Sequence, residues 1–254
     1  MFKTQLVYRF DVITGVVFSI FKILLACILW SAVFEKKEVV SGFTFHTMLT
    51  YYLITGFISQ LDQSAAIGWQ VSSDIRNGRF SKYMIRPIGI FRYFASQSAG
   101  STAFLLIFNV FAAGIWIFLF KIEFTMSSDI KCILAACVLI VLGLLFMVQL
   151  HYFIGILAFK FLDVTALMMM KENIVQFLTG ALIPLALLPL AWVQAMTYFP
   201  FYYISYLPTM LLLGRNSDEC ISGIMILVLW NIAFGIINAV TYQHLKSIYD
   251  GVGI

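Results

Sequence analysis

Five cations, Arg76, Arg79, Lys82, Arg86 and Arg92, crowd into one connection, WQVSSDIRNGRFSKYMIRPIGIFR, in a chain where charge is otherwise scarce. Such groups can hold acidic lipid headgroups, each cation worth about 1 kcal/mol at a membrane surface, or frame a contact face for a partner. The local pattern favours the partner. Ala66, Trp69, Gln70 and Ser73 share one face of a helix expected over 65–75, through i, i+3, i+4 and i+7 spacing. Asn77-Gly78 supplies the positive φ that stops such a helix, and Pro87 disfavours helix at Arg86. A connection that only clears a membrane does not need this much local specification. The candidate contact residues are therefore Trp69, Gln70, Ser73, Asp74, Arg76, Gly78 and Arg79.

Catalytic chemistry is sparse elsewhere. The sequence has no GxxxxGK[ST] phosphate cradle and no Gly-rich dinucleotide turn. HExxH and GxSxG are also absent. His46, His151 and His244 lie far apart on different elements, and histidine chemistry needs a partner to set its tautomer. No nucleophile has a base at a useful spacing, which counts against an intramembrane enzyme. The four cysteines form no CxxC or Cys/His cluster, so they read as free thiols and not as metal ligands. No catalytic, cofactor-binding or metal-binding residue is expected.

Four polar side chains fall at membrane depth: Lys22, Asn109, Gln149 and His151. As functional groups they are candidates to line a translocation pathway. Lys22 can equally snorkel to the nearer membrane edge, and the others can serve as interhelical hydrogen bonds of about 0.6 kcal/mol each. Asn231 and Asn238 carry the same ambiguity.

The elements that position these groups follow from composition. Hydrophobic residues make up 62% of the chain and charged residues 11%, with a mean hydropathy of +0.96. A soluble domain carries about 25% charged residues, so a single all-α membrane domain is expected. The apolar runs are continuous and do not alternate with period two, which excludes a barrel. Windows of about 20 apolar residues cross a hydrocarbon core of about 30 Å. Six spans are expected, over 12–34, 45–61, 93–120, 132–158, 174–190 and 221–242, with a basic connection at 62–92. The run after Asp11 is too long for a signal-peptide core, so it is expected to remain as the first span.

With the N-terminus inside, the inner segments hold Lys3, Arg9, Arg76, Arg79, Lys82, Arg86, Arg92, Lys160, Lys171 and Lys246. The outer ones hold Lys36, Lys37, Lys121, Lys131 and Arg215. This asymmetry predicts both termini in the cytoplasm. The isoelectric point near 8.8 thus marks membrane orientation and implies no nucleic acid. The segment 191–219 should be outside yet stays apolar, with Pro200 and Pro208 bracketing several tyrosines. Proline interrupts helices, so short broken helices re-entering the outer leaflet are expected, with Pro200, Tyr203 and Pro208 as outer-gate candidates.

Laid out in this way, the chain resembles the permease subunits of ABC-2 type exporters. "YRFD" (Tyr8 to Asp11) precedes a first span ending in "LWSAVF" (Leu29 to Phe34). "DIRNGRFSKYMIRPIG" (Asp74 to Gly89) is similar to the D-I-x-x-G-x-[FL]-x-x-x-[LM]-x-[RK]-P pattern between their second and third spans. "GALIPLALLPLAW" (Gly180 to Trp192) and "FPFYYISYLP" (Phe199 to Pro208) are similar to their fifth span and outer re-entrant helices. The resemblance implies a half-transporter in the bacterial inner membrane. Two permeases, identical or paralogous, would join two copies of a separate ABC ATPase that binds ATP and Mg. The 62–92 helix would insert into a groove on that ATPase. This chain would itself bind no cofactor. The cargo would be amphipathic or hydrophobic: a drug, a peptide or a lipid-like molecule. A gradient-driven carrier or channel is the alternative, opposed by the placement of all twelve acids in loops or at span ends.

Overall fold

In the computed structural model residues 21, 24–120, 126–161 and 163–248 are described. Among them the regular structure is helical, and the only extended pairing is an isolated antiparallel bridge between Val40 and Phe43. Lys22 lies outside the described residues, and so does the side chain of Asn109.

The order of helices is α1 (Leu24–Phe34), α2 (Phe45–Leu61), α3 (Ala65–Arg76), α4 (Ser81–Met84) and α5 (Ile90–Phe120), followed by α6 (Ile130–Ile156) and α7 (Thr165–Leu178). Then come α8 (Leu190–Met196), a π-helical turn (Tyr202–Tyr206), α9 (Leu207–Leu212) and α10 (Cys220–Leu245). Local chemistry starts these helices. At α2 the Thr44 hydroxyl accepts from the Thr47 N–H while the Thr47 hydroxyl accepts from the Thr44 N–H, a reciprocal cap that satisfies two orphan donors. At α6 the Asp129 carboxylate accepts from the Lys131 N–H at 2.9 Å. Two stretches, Ile130–Phe159 and Ser217–Leu245, are each long and apolar enough to cross a membrane.

Helix α6 is the axis of the molecule, packed against α10, α3 and α9. Its two halves sit in separate apolar clusters. The first half packs with Phe43, Tyr51, Tyr202, Tyr206 and Leu211. The second half packs with Ile67, Val71, Phe80, Phe94 and Met168. The close crossing of α3 over α6 depends on two glycines. A Cβ on Gly155 would lie 2.9 Å from Val71 Cβ, and one on Gly68 would lie 3.0 Å from the His151 carbonyl oxygen.

One expected helix is corrected. In place of a continuous helix over 174–190, α7 begins at Thr165 and ends at Leu178. It starts early because the Asp163 carboxylate accepts from the Thr165 N–H at 2.8 Å, so Lys171 and Glu172 lie within it. It ends early because Gly180 takes φ +73°, and because Pro184 and Pro189 cannot donate to a helical ladder. A 3-10 turn, Leu185–Leu187, then leads into α8.

The segment from 190 to 219 is neither an extended loop nor one long helix. Pro208 lies inside a continuous helical rod, not at a break. The π turn before it lets the Leu207 N–H reach the Tyr202 carbonyl, and Pro208 follows within the first turn of α9, where its missing N–H leaves no helical bond broken.

Candidate functional site

The first candidate surface is α3 and the turn that follows it. Ile67, Gly68, Val71, Ser72, Asp74 and Ile75 face inward. Ala66, Trp69, Arg76 and Asn77 are exposed, with Gln70 and Ser73 half-buried between the two faces. Asn77 closes the helix, and Gly78 follows at φ +67°. The Gly78 N–H donates to Ile75 O at 3.1 Å and the Arg79 N–H to Asp74 O at 2.8 Å. Those two bonds form a Schellman stop, which requires the left-handed conformation that glycine adopts without strain.

Asp74 is corrected from a contact residue to an internal one. Its side chain is 6% exposed, and Arg79 Nε and Lys82 Nζ approach it at 3.3 and 2.9 Å. The Tyr83 hydroxyl donates to its Oδ2 at 2.8 Å. Gln70 Nε2 donates to that hydroxyl, and Gln97 Nε2 donates in turn to Gln70 Oε1. One chain of bonds therefore joins α3, α4 and α5. The bond to Asp74 raises the Lys82 pKa, while burial, followed by the same carboxylate, raises that of Tyr83. Arg86 stacks 4.8 Å from the Tyr93 ring centroid, which sets the entry into α5. Trp69, Arg76 and Arg79 keep their outward positions, and Arg76 meets Asp163 at 3.6 Å between exposed groups, where an ion pair adds little.

A second set of residues joins the start of α3 to α6 and α7. The Ser64 hydroxyl reaches both Asp62 Oδ1 and His151 Nδ1. His151 Nδ1 also meets the Met147 carbonyl at 2.8 Å, and its Nε2 meets the Lys171 ammonium. An ammonium can only donate, so Nε2 accepts and the ring proton sits on Nδ1, facing Met147 O. Asp62, His151, Lys171, Glu172 and Ser205 line a cavity of about 120 Å³ beside this relay. The Ser205 hydroxyl has no partner among the described residues.

Gln149 belongs to a third set, between α6 and α10. Its Nε2 donates to Asn231 Oδ1 at 2.9 Å, and Asn238 Nδ2 donates to the Gln149 carbonyl at 3.1 Å. Gln149 and His151 are thus both buried and both bonded across helices, but on different sides of α6, each bordering a different cavity.

Of the outer-gate candidates, Tyr203 belongs to the first-half cluster. Pro200, Tyr203 and Pro208 are buried, and the Tyr203 hydroxyl donates to Thr197 O at 2.7 Å. Sequence reasoning missed their strongest ties. The Tyr51 hydroxyl donates to Gly180 O at 2.7 Å across 129 residues. The Tyr202 hydroxyl donates to Glu219 Oε2 at 3.0 Å, and Asn216 Nδ2 donates to Glu219 Oε1 at 2.6 Å. The Asn216/Glu219 spacing and the YYxxY run carried part of that signal; the Tyr51 pairing had none. The four cysteines are free, and no group of three or more metal-ligating side chains is found among the described residues.

A family model described as ABC-2 family transporter protein matches residues 20–253. No curated protein and no solved structure matches the chain.

Proposed function

The chain belongs to the ABC-2 family of transporter proteins, and on that premise we propose that it is the membrane subunit of an ATP-driven exporter. The family and the long apolar helices make it an integral membrane permease. In the proposed arrangement it crosses a bacterial inner membrane six times with both termini inside. Two such subunits, identical or paralogous, pair with two copies of a separate ABC ATPase that binds ATP and Mg. The observation that carries this reading is the outward row Ala66, Trp69 and Arg76, with Ser73 half-buried at its edge, on a helix whose other face is locked onto α6. A push on that row has a rigid route inward, through the Gly68–Gly155 crossing and through Ser64 to His151 and Lys171.

Asp74 acts within this scheme by holding the turn, so that Arg79 and the end of α3 keep their place. The tyrosine-lined segment from 190 to 219 closes the pathway at the opposite end of α6. The cargo is an amphipathic or hydrophobic molecule, since few fixed charges lie along the helices.

Purification of the tagged chain from its native membrane tests the reading. A co-purifying chain with a Walker motif is expected, and its ATPase activity should become uncoupled from export in Trp69→Ala and Arg76→Glu. A gradient-driven carrier has one observation in its favour, the Asp62–Ser64–His151–Lys171 relay, buried at Ser64 and His151 and half-buried at its charged ends. It would move cargo in proteoliposomes containing this chain alone, on a pH gradient without ATP.

A further inference from the structure

We propose that Cys132 and Cys220 form a modification site, where a small-molecule disulfide joins the two thiols into a reversible cross-link between the starts of α6 and α10. The thiols are 88 residues apart in sequence, yet the Cys220 S–H donates to Cys132 Sγ at 4.0 Å. The Cys132 S–H donates in turn to Asp129 Oδ2 at 3.6 Å, which leaves its sulfur free to accept from Cys220. A disulfide brings its sulfurs to about 2.05 Å, so a gap of about 2 Å must close. A cysteine sulfur moves by about 3 Å between staggered rotamers, so side-chain rotation covers that distance. Among the described residues this is the one pair of sulfurs in contact.

The backbones that carry the two thiols are already held together. Asp129 caps α6 through the Lys131 N–H, and Glu219, next to Cys220, holds the Tyr202 hydroxyl and the Asn216 amide. The Ser127 N–H donates to Leu212 O at 2.7 Å, tying the approach to α6 to the end of α9. Access to the two sulfurs is unequal, and that sets an order of events. Cys132 is 2% exposed and Cys220 is half-buried, and both border a cavity of about 450 Å³ rimmed by the exposed Asp129, Lys131 and Asp218. Cys220, as its thiolate, attacks one sulfur of the incoming disulfide and expels the other as a thiolate. Cys132 then gives up its proton, attacks the Cys220 sulfur and expels the second small thiolate. Two protein thiols and one small disulfide become one protein disulfide and two small thiols, which take up the two protons.

The cross-link rests on the thiol contact and not on the exporter reading, and its test needs neither ATP nor an ATPase. In the six-span arrangement proposed above both thiols lie on the outer side, where disulfides persist. The experiment treats the full chain in phosphatidylcholine nanodiscs with oxidised glutathione, then blocks the remaining thiols under denaturing conditions before digestion. A peptide pair joined through Cys132 and Cys220 is expected in the wild-type chain, and dithiothreitol should remove it. In the Cys27→Ser, Cys137→Ser chain both remaining thiols should disappear together, leaving no bound glutathione. Adding Cys132→Ser should stop the reaction at a glutathione adduct on Cys220, whereas adding Cys220→Ser should leave Cys132 unmodified. Absence of the joined peptides in the wild-type chain would overturn the proposal, and that result does not depend on any variant folding. A stable glutathione adduct on Cys220 with Cys132 still present would overturn it too, as would a link from either thiol to Cys27, Cys137 or a second chain in its place.

Discussion

The segments 62–92 and 179–219 both leave the line of the long helices, and they are held by opposite chemistry. The first turns at Gly78 and is tied by one buried carboxylate gathering a phenol and two half-exposed cations. The second turns at Gly180 and is tied by tyrosine hydroxyls donating to backbone carbonyls and to Glu219. Ionic bonds near solvent hold a surface in place while leaving it accessible. Phenol-to-carbonyl bonds in an apolar cluster let irregular backbone persist away from water, where each buried polar group must find a partner. In the proposed scheme the first region serves a contact that is made and released, and the second serves as a plug.

The sharpest way to break this contrast is Gly180→Ala. The new Cβ would meet the Tyr51 hydroxyl at 2.7 Å and Leu185 at 3.2 Å, at φ +73°. Strain in the left-handed region and the displaced bond together predict a loss of about 3 kcal/mol, read as a lower unfolding temperature in detergent. A loss below that of Gly78→Ala would mean the tyrosine cluster does not depend on Tyr51. Asp74→Ala comes next, at about 2 kcal/mol, because it strips the acceptor from Tyr83, Lys82 and Arg79 at once. It should lower both stability and coupling, whereas Arg76→Glu should lower coupling with no change in unfolding temperature. Equal thermal effects from these two would erase the distinction between the inward and outward faces of α3.

Gly78→Ala should cost about 1 kcal/mol from φ alone, and protease cleavage after Arg76 or Arg79 should accelerate. Smallest is the alkaline response of Lys82. Its folded pKa lies above the ordinary 10.5, so its contribution is complete below that pH and is lost as pH rises through the raised value. Lys82→Gln should therefore flatten the stability difference between neutral and strongly alkaline solution, and an unchanged difference would remove Lys82 from the ties on Asp74.

Reading the chain alone reached several features that local chemistry decides. Asn77-Gly78 announced a helix stop because only a glycine takes the left-handed turn there without strain. Spacing placed Ala66, Trp69 and Ser73 on one face because a helix has a fixed period. It also put Asp74 among the contact residues, and there it failed. The partners that draw this carboxylate inward, Lys82 and Tyr83, lie beyond the turn, and the turn's geometry decides whether they reach back. The helix α7 was misjudged for a related reason. Lys171 and Glu172 interrupt an apolar window, but Lys171 is accommodated by His151 on another helix.

Continuous apolar runs, the basic connection at 62–92 and the proline-rich stretch near 200 were determined by the order of residues, since hydropathy and backbone stereochemistry act over a few positions. Which polar groups meet was decided only by the tertiary structure. His151 and Gln149 are two residues apart and take opposite sides of α6, one joined to Ser64 and Lys171, the other to Asn231 and Asn238. The Gly68–Gly155 crossing brings α3 close enough for the first set to form. Such pairings span eighty residues or more in several cases, and they arise because a buried donor or acceptor must take whatever partner the packing of helices brings within reach.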